Sequence, residues 1–430
     1  MAFKIGLLGL GTVGAGTAEI LLSPEGRHPL VKELEIYRVG VRDISKPRSV
    51  QIPPDILTTD IESIVTDPEI DIVVEVLGGL EPARSLILKA IAHGKHVVTA
   101  NKAVISRYGD EIFTAANEKG VYVSLEASVG GGIPVIQPLK QALGVNRIQS
   151  VTGIINGTTN YILTRMRDEG ADFGEVLADA QKLGYAEADP TADVEGLDAG
   201  DKIAILASLA FGGRIKLEDV YCEGITKVGA ADIAYAEKLG FVIKLLGIAK
   251  KLDADNELLS VRVHPTLVPK SHPLASINGV YNAIFIEGEP IGQVMFYGRG
   301  AGAGPTASAV VSDMINIAAV LKTRDESKLH PLLACSHQHY CQIAPMDELV
   351  TRFYARFLTK DHPGVIGKLG TCFGDRGVSL ESLVQTGFQG ELAEIVVVTH
   401  DVREGNFREA LEEIRGLDSI DSVASLLRVL

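Results

Sequence analysis

Residues 3–9, FKIGLLG, form a short apolar run, and Gly9-Leu10-Gly11-Thr12-Val13-Gly14 follows it directly, ahead of the helix-prone AGTAEILL. No other short motif in the chain restricts the fold so much. In G-x-G-x-x-G the first glycine permits a tight turn, the second lets the backbone approach a pyrophosphate, and the third allows close packing of helix on strand. The helix N-terminus then faces the phosphates. Strand and helix patterns alternate beyond it: EIYRVGVRD, DIVVEVLGG, PARSLILKAIAHG, HVVTAN, GDEIFTAANEKG and VYVSLEAS. Continuous apolar strands alternating with helices give a doubly wound parallel sheet, so an α/β, Rossmann-type nucleotide-binding domain is expected over residues 1–133.

With 430 residues the chain has room for further domains. A formal charge of −14 argues against a nucleic-acid or anionic-membrane surface, since both need a basic face. Apolar runs such as IAILASLAF fall short of the roughly 18 residues of a membrane span, and the apolar N-terminus lacks a cleavage pattern. Four scattered cysteines make no disulfide framework and fit a reducing cytoplasm. Cys335, His337, His339 and Cys341 would share one face of a strand. Adjacent ligands on one strand rarely close a tetrahedron, so a packed or linker strand is expected there rather than a metal site.

The second strand is expected to end Val41-Arg42-Asp43. Asp43 suits the ribose hydroxyls of NAD, whereas Arg42, with Lys46 and Arg48 beyond it, suits the 2′-phosphate of NADP; both readings stand, with a tilt toward NADP. Thr99-Ala100-Asn101-Lys102 closes another strand at the edge where ligands of such sheets collect, which makes Lys102 a candidate.

After SLEASVGGGIPVIQPLK the alternation stops, and an α+β domain over residues 134–302 is expected to supply a dimer face. Its acidic loop carries Glu187, Asp189, Asp193, Glu195, Asp198 and Asp201 ahead of Lys202 and a buried helix. Asp198 and Lys202 are i and i+4, so they share one helix face. A lysine among carboxylates can stay charged or, when desolvated, serve proton transfer; the alternative is an exposed loop and a surface ion pair.

The stretch from Ala180 to Lys202, with Gly184-Tyr185, Asp189-Pro190, Asp193 and Gly196-x-Asp198-x-x-x-Lys202, resembles the signature of homoserine dehydrogenases. TANK, EASVGGGIP and NGTTNYI stand in that family's order, so the resemblance covers essentially the whole chain. It implies NAD(P)-dependent interconversion of L-homoserine and L-aspartate 4-semialdehyde, a step toward threonine, methionine and isoleucine. Lys202 is then the acid/base, oriented by Asp198. Glu187 and Asp193 bind the substrate, Lys102 contacts substrate and nicotinamide, and Gly157 and Thr158 offer backbone or hydroxyl bonds. Glu195 and Asp201 are left as solvated acids. Gly9, Gly11, Thr12, Val13, Gly14, Arg42, Thr99, Lys102 and Gly302 make the cofactor set, the last from a second glycine-rich turn whose helix completes the first domain over about 303–345. The resemblance also implies a monovalent cation, such as sodium, held mainly by backbone oxygens at Glu126, Val129, Gly131 and Ile133; the alternative is a plain hinge.

From about Leu349 a strand-helix-strand-strand-helix-strand order suggests a ferredoxin-like unit over 349–430. Its Asp361-His362-Pro363-Gly364-Val365 turn resembles that of ACT domains, implying an amino-acid effector, threonine, or else a purely assembling role in a homodimer or homotetramer. A 2-hydroxyacid dehydrogenase with an ACT tail would need a His paired with a carboxylate, and no His lies in the acidic loop or beside TANK. A non-catalytic amino-acid sensor should lack one of Lys102, Glu187 or Lys202, and all are present.

Overall fold

The computed structural model describes residues 2–252, 258–323, 329–335, 337 and 339–430. β1 (Phe3–Leu8) leads into α1 (Thr12–Leu22), followed by β2 (Leu34–Gly40), β3 (Leu57–Thr58), α2 (Ile61–Thr66), β4 (Ile72–Glu75), α3 (Ala83–Ala92), β5 (His96–Thr99), α4 (Lys102–Lys119) and β6 (Val123–Ser124). Next come α5 (Ile136–Lys140), β7 (Arg147–Ile154), α6 (Gly157–Glu169), α7 (Phe173–Lys182), α8 (Thr191–Val194), α9 (Leu197–Phe211), β8 (Tyr221–Cys222), α10 (Ala230–Lys238), β9 (Phe241–Lys251), β10 (Leu258–Pro269), β11 (Tyr281–Glu289), β12 (Gly292–Arg299) and α11 (Ala303–Thr323). The chain ends with β13 (Gln342–Ile343), β14 (Val350–Lys360), α12 (Val365–Asp375), β15 (Leu380–Gln389), β16 (Leu392–Thr399), β17 (Val402–Arg403), α13 (Glu404–Arg415) and β18 (Ile420–Val429).

Two compact units result: Met1–Val151 with Asp201–Glu218 and Asn282–Cys341, and Thr152–Gly200 with Asp219–Tyr281 and Gln342–Leu430. In the first, a parallel sheet has the order β3-β2-β1-β4-β5-β6. The order reverses between β1 and β4, the switch point where such sheets bind ligands. Ile5, Leu7, Ile72, Val74 and Val98 are all but inaccessible, as expected for strands covered on both faces. α11 is long and apolar enough by composition to cross a membrane. Its Val310, Met314 and Ile317 instead lie in the same buried core as Ile5 and Leu34, and it packs along α1.

In the second unit β9 and β10 form a long antiparallel pair, from Leu259 opposite Lys251 to Pro269 opposite Phe241. The last eighty residues fold as a ferredoxin-like sheet, β18-β14-β16-β15, with α12 and α13 over a core of Phe353, Phe357, Phe373 and Phe407. β18 also pairs with β10, Thr266 with Arg428 and Leu267 with Val429, so this sheet continues into the β9–β10 pair.

Two local expectations are overturned. β2 stops at Gly40, because Asp43 accepts hydrogen bonds from the Ser45 amide and hydroxyl at 2.8 and 2.7 Å and forms a turn. Cys335 to Cys341 form no strand among the described residues beyond an isolated bridge from Tyr340 to Arg214. Cys335 Sγ lies 3.7 Å from His337 Nδ1, burial pushes the His337 imidazole down to about 4, and no metal-binding group of three or more side chains converges among the described residues.

Candidate active site

The three fingerprint glycines have different surroundings. Gly9 adopts φ +104°, and a Cβ there would sit 3.0 Å from the Val76 carbonyl oxygen. A Cβ on Gly14 would lie 2.1 Å from the Gly9 carbonyl oxygen, so α1 can approach the turn only without a side chain. A Cβ on Gly11 would meet nothing within 4 Å. Gly11 is also the N-cap of α1, with no side-chain cap and no acid in the first turn, which leaves the helix's positive end open to an anion. This turn borders a cleft of about 740 Å³ also lined by Arg42, Asp43, Lys46 and Arg48. Asp43, bonded to Ser45, is held below the usual carboxylate range. Arg48 donates to the main-chain oxygens of Asp43, Ile44 and Lys46, so it braces this loop.

At the ends of β4 and β5, Glu75 organises two loops. Its fully buried carboxylate accepts the Leu77 N–H at 2.9 Å and the Thr99 hydroxyl at 2.7 Å. Asn101 caps α4 by accepting from the Val104 amide at 3.3 Å and donates to the Gly79 carbonyl at 2.8 Å. Thr99 therefore faces inward as a support, and Lys102 opens α4 beside it. Sequence reasoning missed Glu75, although a lone acid closing the apolar run IVVE was a readable signal.

Around Glu126, both carboxylate oxygens are used. They accept the Val135, Ile136 and Gln137 amides at 2.7, 2.8 and 2.7 Å, and burial raises the group's pKa. Its own N–H donates to Asp313, whose carboxyl burial pushes up to about 7. Gly131 adopts φ +56°, and a Cβ on it would lie 2.4 Å from the Gly300 oxygen. Gly300 in turn packs on Asn282, whose buried amide has no hydrogen-bond partner among the described residues. A hard cation suits main-chain oxygens and a side-chain amide such as these, but not the Glu126 carboxylate, which the three amides occupy.

In the second unit, Asn156 caps α6 and joins two of the signature acids. Its Nδ2 donates to Asp193 Oδ1 at 2.6 Å and to Asp198 Oδ2 at 2.9 Å. Asp198 is buried in the first turn of α9 and Lys202 lies one turn further along that helix, on the same face. Gly157 and Thr158 are the first two residues of α6, and the Thr158 hydroxyl donates to the Tyr185 carbonyl at 2.8 Å. Glu187 is exposed on the loop after α7, where its carbonyl accepts from Gln181 at 3.0 Å. Glu195 is exposed as expected, but Asp201 is not a solvated acid. It is 6% exposed and accepts from the Ser106 hydroxyl and from Arg107, both at 2.7 Å.

Comparison with known proteins adds three matches along the chain. Residues 9–126 match the model described as homoserine dehydrogenase, NAD binding domain, residues 134–315 the model for homoserine dehydrogenase, and residues 353–419 the ACT domain. A homoserine dehydrogenase of Synechocystis sp. is 69% identical over the full length of both chains. That of Neisseria gonorrhoeae is 44% identical over 99% of this chain and 98% of its own. Among solved structures, a homoserine dehydrogenase from Thiobacillus denitrificans matches with TM-score 0.92 and 42% identity, covering 100% of this chain and 98% of that one. A hyperthermophilic archaeal homoserine dehydrogenase in complex with NADPH matches with TM-score 0.62 and 28% identity, over 76% and 99% respectively.

Proposed function

The chain belongs to the homoserine dehydrogenase family, and from that premise we propose that Lys202 exchanges the proton of the substrate hydroxyl while Asp198 orients it. It is an NAD(P)-dependent oxidoreductase interconverting L-homoserine and L-aspartate 4-semialdehyde. NAD(P), when held at the Gly9–Gly14 turn, would supply the hydride acceptor or donor. Asp193 and Glu187 hold the substrate, the opening amides of α6 at Gly157 and Thr158 face its polar groups, and Lys102 positions substrate against cofactor. The observation that carries this reading is the gathering of Asp193 and Asp198 on one amide, with Lys202 one helical turn beyond Asp198. Proton transfer by a positioned side chain is worth about 100- to 10,000-fold in rate. Lys202→Ala should therefore lower turnover of aspartate semialdehyde with NADPH at least about 100-fold and leave cofactor affinity unchanged. Near-normal nicotinamide oxidation by that variant would remove Lys202 from the role.

Three finer assignments belong to the same reading. NADP is preferred over NAD, because Arg42 and Lys46 line the cleft while Asp43 is engaged by Ser45. A monovalent cation sits at the Glu126–Ile133 turn on main-chain oxygens, with the Asn282 amide a candidate donor. Threonine acts through the ACT domain of a cytoplasmic homodimer or homotetramer, and the four free cysteines suit that compartment. The effector is best tested on the full chain. Arg356 of β14 bonds buried Asp232 at 2.7 Å and Arg428 of β18 bonds Glu223 at 3.0 Å, so removing the last eighty residues would break both pairs as well as remove the effector domain.

A further inference from the structure

An N-cap needs only an acceptor, and Asn156 supplies one: its Oδ1 takes the Thr159 N–H at 2.8 Å and the Thr159 hydroxyl at 2.9 Å. Ser, Thr or Asp would cap as well. The side chain is 4% exposed, however, and both of its N–H bonds are also used, one on Asp193 of α8 and one on Asp198 of α9. Among cap-forming side chains, the amide alone combines an acceptor with two donors in one rigid plane. Charge-assisted bonds of this kind are the stronger class. Two acids that each lie within hydrogen-bond distance of one nitrogen are close neighbours, and donors shared between them offset their like charges. The two helices they stand on meet at Gly196, whose φ of +80° makes the turn between them.

We propose that Asn156 is a positioning residue that clamps Asp193 to Asp198 and so fixes the substrate-holding acid relative to the acid that orients the proton-transfer lysine. The proposal rests on the roles assigned above to Asp193, Asp198 and Lys202. It adds that the acids function as a spaced pair, with the spacing set by an amide that touches neither substrate nor cofactor.

Two variants separate clamping from capping. Asn156→Asp keeps the acceptor for the Thr159 amide but replaces both donors with a third negative charge. Asn156→Ser also keeps an acceptor but offers one short hydroxyl donor in place of the two amide donors, so it cannot bridge both acids, and it adds no charge. Steady-state kinetics with homoserine, NADPH binding by fluorescence and thermal unfolding are measured on the full chain. A clamp predicts kcat/KM lowered about 100-fold in Asn156→Asp and about tenfold in Asn156→Ser, through both a higher KM for homoserine and a lower kcat. NADPH affinity should stay within about twofold. A pure cap predicts that Asn156→Ser, which adds no charge, keeps kcat and KM within about twofold, and that result overturns the proposal. If Asn156→Asp does not fold, the Ser variant decides alone by the same criterion. An unmodified chain that fails to turn over homoserine overturns both the proposal and the reading beneath it, whereas inactive Lys202→Ala beside normal Asn156 variants overturns the clamp alone.

Discussion

The N-termini of α1 and α6 are built as opposites. α1 begins at Gly11 with no side chain over its first amides and nothing within 4 Å of where a Cβ would be. α6 begins at Asn156, whose side chain closes the third amide and turns its own donors onto two carboxylates. Both ends carry the positive pole of a helix. One has no side-chain cap and borders the cleft, while the other is capped by a side chain that also bonds two of the protein's own acids. A dehydrogenase has to release its cofactor at every turnover, whereas the acids held by Asn156 belong to the chain itself, and the two caps divide along that line.

The largest effect should come from making the open terminus resemble the closed one. Gly11→Asp places a capping carboxylate where the proposed reading puts the cofactor phosphates. A Cβ there would meet nothing within 4 Å, and an acidic N-cap is worth only about a few tenths of a kcal/mol over glycine, so thermal stability should hold. NADPH affinity should nevertheless fall about 100-fold through repulsion and lost amide contacts, read by fluorescence titration. Retained affinity would mean that the phosphates do not approach α1.

A smaller effect sharpens the choice of anion. Arg42 lies on the loop after β2 and lines the cleft, whereas Asp43 spends its carboxylate on Ser45. Removing one charged contact to a 2′-phosphate costs about tenfold, so Arg42→Ala should weaken NADPH by roughly that factor and leave NADH unchanged. Equal losses with both cofactors would place Arg42 away from the 2′ position.

Sequence reading fared differently at the two ends for a physical reason. The α1 turn is built from neighbours in the chain, so the glycines at 9, 11 and 14 announce their separate roles by spacing. The α6 cluster joins residues 37 and 42 positions apart, and NGTTNYI disclosed the glycine and threonine but not what Asn156 holds. Asp201 was misread for the same reason, since its partner Arg107 is 94 residues away. The ferredoxin-like order was legible from local periodicity, but its weld to β10 depends on a pairing between Thr266 and Arg428 that no local pattern carries.

The smallest predicted effect tests how α6 meets the substrate. Asn156 takes the Thr159 amide, so the helix's first two amides belong to Gly157 and Thr158, and the Thr158 hydroxyl is committed to the Tyr185 carbonyl at 2.8 Å. If Thr158 serves the substrate through its main-chain N–H, Thr158→Val loses only the anchor of the Tyr185–Glu187 loop. One neutral hydrogen bond is worth about 1 kcal/mol, so KM for homoserine should rise about fivefold with kcat nearly unchanged. If the hydroxyl itself bonds the substrate in the transition state, kcat falls with kcat/KM. The split between the two constants therefore says whether the α6 terminus presents backbone to its ligand or side chain.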